Sequence, residues 1–183
     1  GLSGRLVGLN PSSGSVRWEA PVASPRGVND VERLVDLVGR ADRQGDVVCA
    51  RAFQASVGCV NAARGALLWT QSANGAQGVS SDDLQVYGTE SDGKVIAWRR
   101  ANGQRAWTSE RLMYRGLGGP VTLGSALAVG DSAGFVHFLS TGNGALMGRV
   151  ATDGSGLAAT PVLAGDTLVV VTRNGAVMGF QPQ

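Results

Sequence analysis

An internal repeat constrains this chain more than any other feature. Gly4, Gly14 and Trp18 are spaced by ten and then four residues, and Gly93, Gly103 and Trp107 repeat that spacing. The pattern returns at Ala55, Gly65 and Trp69, where Ala stands for the first Gly. It returns again at Gly134, Gly144 and Gly148, where Gly stands for Trp. A fifth start, at Gly175, runs into the chain end. Successive starts lie 51, 38, 41 and 41 residues apart. A period near 40 residues marks an array of units that bury their faces only against one another.

Each unit reads as short strands. Apolar runs at 47–52, 84–88, 126–130 and 168–171 precede the repeat starts. Turn residues follow, among them Asp92-Gly93 and Asn174-Gly175, and such pairs suit the φ > 0 positions of a type I′ hairpin. A second run comes next, then a turn at Gly14, Gly65, Gly103 or Gly144, then a third run ending at the Trp. A weaker fourth run, at 120–123 and 161–163, precedes the next repeat. Four strands in about 40 residues is the arithmetic of a β-propeller blade. An immunoglobulin-like sandwich has no reason to repeat its turns at this interval, and helical periodicity is almost absent.

The expected fold is therefore all-β, an arc of four-stranded antiparallel propeller blades with three whole blades and two partial ones. Residues 1–20 read as the end of a blade. Residues 24–43 read as a long inter-blade loop and the first strand of the next blade. Residues 44–74, 78–109 and 119–152 are blade repeats, and 159–183 form an incomplete last blade. The first segment supplies third and fourth strands while the last lacks a fourth, so the two ends do not complete one blade. Half of an eight-bladed propeller is the expectation.

Composition narrows the function. Apolar residues make up 43% of the 183 and charged residues 16%, against a usual ~25%, which argues against disorder. The 28 glycines match many tight turns. No run of 18 apolar residues exists, so no transmembrane helix is expected. The start, Gly1-Leu2-Ser3-Gly4, has neither Met nor a signal peptide and reads as processed or cut from a longer chain. Net charge is +2, and the basic residues, all Arg except Lys94, are scattered, which argues against nucleic-acid binding.

Catalytic constellations are missing from the sequence. His137 is the lone histidine and sits inside a strand, where a packed or hydrogen-bonded role is expected. There is no Cys-x-x-Cys and no Gly-x-Ser-x-Gly. Gly116-Leu117-Gly118-Gly119 lacks the Lys-Ser/Thr of a phosphate-binding loop. Asp92, Asp131 and Asp166 read as turn residues, because no loop gathers the oxygens calcium requires. No catalytic residue, metal or cofactor is expected. Trp18, Trp69 and Trp107 share one repeat position, where each is expected to wedge between blades rather than form a ligand platform. Trp98 is off-pattern and is expected to pack at a blade face. Cys49 and Cys59 lie symmetrically about Gln54. A two-residue turn at Gln54-Ala55 sets them on opposite faces as buried free thiols, the favoured reading; a bulged turn would restore a disulfide.

The Gly-x-x-x-Trp units resemble the PQQ-like propeller repeat. The stretch Val28-Asn29-Asp30-Val31-Glu32-Arg33-Leu34-Val35-Asp36-Leu37-Val38 more closely resembles the long loop of the BamB family of outer-membrane assembly lipoproteins. So do Leu67-Leu68-Trp69, Val129-Gly130-Asp131-Ser132-Ala133-Gly134-Phe135-Val136-His137 and Asp153-Gly154-Ser155-Gly156, in order and spacing. The resemblance covers essentially the whole chain, as the C-terminal half of the family's propeller. It implies a non-enzymatic scaffold on the periplasmic face of the outer membrane, anchored by an N-terminal lipid outside this sequence. It also implies BamA POTRA domains as partner and unfolded outer-membrane proteins as clients. The family's Leu-x-Leu-Arg contact would precede Gly1. Its Asp-x-Asp contact follows Arg-Leu, so Arg33, Leu34, Asp36 and Val38 are the expected partner-binding residues, with Val38 replacing the second Asp. The bland alternative for residues 25–43 is a strand edge with a solvated loop.

Two other readings remain at this level. The PQQ-like repeat alone permits a quinone-dependent dehydrogenase, yet Cys49 and Cys59 are not adjacent and no acidic cluster appears. A half-ring also exposes strand edges and apolar blade faces. Two copies pairing into a ring, or a monomeric open arc, are the expected alternatives.

Overall fold

The computed structural model describes residues 4–23 and 35–181. These residues form five antiparallel sheets and no helix. β1 (Arg5–Leu9) and β2 (Val16–Pro21) make blade 1. β3 (Leu37–Gln44), β4 (Val47–Ala52), β5 (Ser56–Asn61) and β6 (Ala66–Ser72) make blade 2. Blade 3 holds β7 (Ser80–Ser81), β8 (Gln85–Thr89), β9 (Val95–Arg99) and β10 (Arg105–Ser109). Blade 4 holds β11 (Pro120–Leu123), β12 (Ala126–Gly130), β13 (Phe135–Ser140) and β14 (Leu146–Ala151), and blade 5 holds β15 (Val162–Ala164), β16 (Thr167–Val171) and β17 (Val177–Phe180). Strand order within every sheet follows chain order, which with the repeating blades makes a β-propeller arc.

First strands of successive blades lie together. The Asp42 carboxylate of β3 accepts hydrogen bonds from the backbone N–H and hydroxyl of Ser81 in β7. The hydroxyls of Ser80 and Thr122, in β7 and β11, meet at 3.1 Å. Last strands form the exposed rim: in β6 only Trp69 is buried.

Strand alternation explains how both faces of a blade are covered. In blade 2, Cys49, Val57 and Cys59 point toward blade 3 and join Val86, Ile96 and Trp98. Val48 and Val60 point the other way, toward Ala20 and Val22 of blade 1 and its margin. Tyr87, Val95 and Ala97 then meet Leu127, Val129 and Leu139 between blades 3 and 4. Ala128, Val136, Leu168 and Val170 fill the next interface. Off-pattern Trp98 is thus inter-blade core, 1% exposed.

A bulge recurs between the third and fourth strands of blades 1 to 4. The pairing shifts at Gly8/Leu9, Cys59/Val60, Arg105/Trp107 and Phe138/Leu139. The extra residue sits immediately before the Trp position, at Arg17, Leu68, Ala106 and Met147. A bulge re-aims side chains and adds twist. Here Leu68 and Met147 are turned out to solvent and the following Trp, in blades 2 and 3, toward the next blade.

Each Trp then docks on the following blade. The Trp69 indole N–H donates to the Arg100 carbonyl at 2.7 Å, and that of Trp107 to the Thr141 carbonyl at 2.8 Å. The ring lies against the recurring turn glycine, which explains that glycine twice. Gly103 has φ +72°, which side chains disfavour, and a Cβ there would sit 2.6 Å from the Trp69 ring. Gly144 receives Trp107 and Gly65 receives Trp18 in the same way.

The cysteines correct the favoured sequence reading. They are not free thiols: Cys49 and Cys59 are joined by a disulfide. The cause is turn length. Ala52 pairs with Ser56, so the loop has three residues, Phe53-Gln54-Ala55, not two. Gln54 takes the left-handed conformation, φ 47°, that such a loop needs. Cys49 then falls directly opposite Cys59 on one face.

Candidate docking face

Two kinds of loop meet at one end of the arc: the turn between a blade's second and third strands, and the connection entering that blade. The amide of Ser91 donates to the Asn74 carbonyl, Ser132 to Arg115 and Arg173 to Gly156. The residue that opens each turn ties the same two loops together. Glu90 accepts from the Asn74 amide, Asp131 from Arg115 Nε at 2.7 Å, and Thr172 Oγ1 donates to Asp153 at 2.6 Å.

In blade 2 this end carries Asp36 and Val38, two of the four residues expected to bind a partner. Arg33 and Leu34 lie outside the described residues. Val35 is buried, 6% exposed, against Ala23 and Ala52. The chain alternates from that anchor, so Asp36 is exposed. Val38 is half-buried in β3, paired with Arg51 just before the register shift to Asp42. That shift contains Gly39, φ +66°, whose backbone is pressed on Gly78.

A neighbour that the sequence did not flag completes this corner. The Phe53 amide donates to the Asp36 carbonyl at 2.8 Å, and the Phe53 side chain is 47% exposed. That backbone contact holds an exposed aromatic residue and an exposed acidic one on neighbouring segments, a combination that interfaces favour, an apolar anchor with a charge that fixes register. Its only signal in the sequence was position: it opens the loop centred on Gln54. Farther along the same end, Tyr114 is 84% exposed with φ 61°, its amide donating to the Asp92 carbonyl.

In the other polar clusters the charged groups are paired within the blades, although His137 Nδ1 is buried without a hydrogen-bond partner. Asp131 is 2% exposed and accepts from Ala133 N, Phe135 N, Arg115 Nε and His137, the last at 2.8 Å. Burial pushes its carboxyl up, but the bonds from His137, Phe135 and Arg115 outweigh this and hold it below the ordinary carboxylate range. His137 thus has the hydrogen-bonded strand position expected of it. A cleft of about 360 Å³ beside Lys94 and Glu110 has its lysine paired with Asp92 at 3.2 Å and Glu110 at 3.7 Å. Among the described residues no group of three or more His, Cys, Asp or Glu is placed to hold a metal, and no helix is long and apolar enough to cross a membrane.

Comparison with known proteins decides the family. The family model described as outer membrane protein assembly factor BamB matches residues 1–109. The chain belongs to the BamB family. BamB of Burkholderia pseudomallei is 43% identical over 98% of this chain and 47% of its own length. The crystal structure of BamB from Moraxella catarrhalis superposes with a TM-score of 0.88 at 26% identity, over 98% of this chain and 53% of that one. The chain thus spans about half the length of the BamB proteins it matches. Quinohemoprotein alcohol dehydrogenase from Comamonas testosteroni is similar at TM-score 0.65 and 14% identity, a likeness of fold alone. The BamB relatives are named as assembly factors, and the dehydrogenase reading has only that distant fold similarity.

Proposed function

We propose that this chain is the C-terminal half of the propeller of a non-enzymatic BamB scaffold at the periplasmic face of the outer membrane. It docks through its blade-2 loop corner onto the POTRA domains of BamA. There it assists the folding and insertion of outer-membrane β-barrel proteins. The observation that supports the reading is that two exposed residues, Asp36 and Phe53, are held on neighbouring segments by a backbone hydrogen bond, in the stretch that resembles the family's partner-binding loop. Arg33, Leu34 and Val38 belong to the same proposed surface. Asp36 supplies a charge for a basic partner residue, and Phe53 supplies an apolar anchor that loses water on contact.

The test is binding of the full-length protein to purified POTRA domains. Changing Arg33 and Asp36 together should weaken binding at least ten-fold while leaving the thermal midpoint of the scaffold unchanged. Unchanged affinity removes this corner from the interface.

A further inference from the structure

We propose that the Cys49–Cys59 bond is installed by thiol–disulfide exchange after the β4–β5 hairpin pairs and before blade 3 docks on it, so that the chain is a substrate of an oxidative folding catalyst.

Burial argues for the order. Cys49 and Cys59 are 1% and 0% exposed. Their cover is Trp69 from their own blade together with Val86, Ile96 and Trp98 from blade 3. In the folded arc no disulfide reagent, still less a protein, reaches either sulfur. Before blade 3 arrives, the face of β4 and β5 that carries the two cysteines is open.

Locality argues that this window exists. The cysteines are ten residues apart and joined by a three-residue loop. Hairpins of this kind form in microseconds, well ahead of contacts between sequence-distant elements. Blade 3 must close against the hairpin through Val86, Ile96 and Trp98, between 27 and 39 residues beyond Cys59. The sulfurs are therefore brought together by local pairing while still reachable.

The chemistry balances as two successive exchanges. The thiolate of one cysteine attacks the S–S bond of an oxidant disulfide, forming a mixed disulfide and expelling one oxidant thiolate. The second cysteine's thiolate attacks the chain sulfur of that mixed disulfide, forming the Cys49–Cys59 bond and expelling the other oxidant thiolate. The two cysteine protons end on the expelled thiolates or in water. The chain loses two electrons and the oxidant gains two.

The probe is oxidised glutathione, with the full-length protein first reduced and unfolded in urea. In one arm the oxidant is present from the start of refolding. In the other, the chain refolds in a reducing buffer and the oxidant is added afterwards. Oxidation is read by quenching into denaturant, alkylating residual thiols there and weighing the protein. The second arm should be at least ten-fold slower and should accelerate with sub-denaturing urea. Equal rates in the two arms would overturn the proposal. If the reduced chain does not refold, the native oxidised protein is treated with dithiothreitol. Its reduction should level off with reductant concentration at the unfolding rate, whereas reduction that keeps rising in proportion overturns the burial argument. Protein taken from cells lysed in denaturant with N-ethylmaleimide should carry no alkyl group on Cys49 or Cys59, and alkylation of both would also overturn the proposal. None of these readouts involves binding, so they stand apart from the docking test.

Discussion

Arg51 of β4 reaches across the blade interface and sets both terminal guanidinium nitrogens 3.0 Å from one carboxylate oxygen of Glu90. Arg51 is fully buried and the Glu90 side chain is 8% exposed. Gly75 and Gly88 make the space, since a Cβ on either would strike the guanidinium. Burial lowers the Arg51 pKa and Glu90 partly restores it. Removing one partner of a buried pair strands the other, at about 3–5 kcal/mol. Glu90→Ala should cost that much in urea denaturation. Arg51→Met with Glu90→Leu should be considerably closer to wild type. A loss below about 1 kcal/mol for Glu90→Ala would show that the pair is not holding the blades.

The turn glycines separate strain from packing. Gly14 and Gly103 have nearly equal φ, +71° and +72°, but a Cβ meets nothing within 4 Å at Gly14 and the Trp69 ring at Gly103. Gly14→Ala should therefore cost only the left-handed penalty, roughly 1–2 kcal/mol. Gly103→Ala should add an overpacking cost of roughly 1–3 kcal/mol. Equal denaturation midpoints for the two variants would remove the Trp–Gly contact from the account.

Replacing Cys49 and Cys59 together by Ala should destabilise the arc by about 3 kcal/mol. Most of that comes from the closed loop in the unfolded chain, and closure of a short loop contributes on this scale. Reduction of the wild type in denaturant should shift the refolding equilibrium by a similar amount. No shift would mean that the hairpin is equally restricted without the bond.

Asp131 gives a pH dependence of defined sign. Its folded pKa lies below the ordinary 3.8, so the stability it contributes is complete above about pH 4. That stability is lost as the pH falls further, through the lowered value. Asp131→Asn should be less stable than wild type at neutral pH, and the gap should narrow below pH 4. Parallel stability curves from pH 6 to pH 3 would contradict this.

Phe53 tests the docking corner without disturbing the fold. Its ring is 47% exposed, so Phe53→Ala should leave the thermal midpoint within a few degrees of wild type. Affinity for POTRA domains, by titration calorimetry, should fall about five-fold or more, as expected for an aromatic anchor. Wild-type affinity would restrict the interface to other residues.

The blade period was open to reading because its glycines and tryptophans are forced by geometry: positive φ recurs at Gly14, Gly65, Gly103 and Gly144, a Trp ring lies against the last three, and a bulge recurs in blades 1 to 4. Arg51–Glu90 was not, because nothing in the spacing of two charges 39 residues apart says that the packing of one blade on the next will face them. The disulfide hinged on one residue. Gln54 carries no turn signal of the Gly or Asn kind, yet takes φ 47° and lengthens the loop to three residues. The same loop turns Phe53 outward beside Asp36, so the docking corner was legible only as far as its carboxylate. Arg33 and Leu34, the other half of that expectation, lie outside the described residues.

The docked tryptophans give the arc a direction. Trp69 finds its acceptor 31 residues farther along the chain and Trp107 finds its own 34 residues farther along. In blades 2 and 3 the indole N–H is thus satisfied only once the following blade is in place. These two contacts give the arc a polarity that strand order alone does not show: each of the two blades donates toward its C-terminal neighbour.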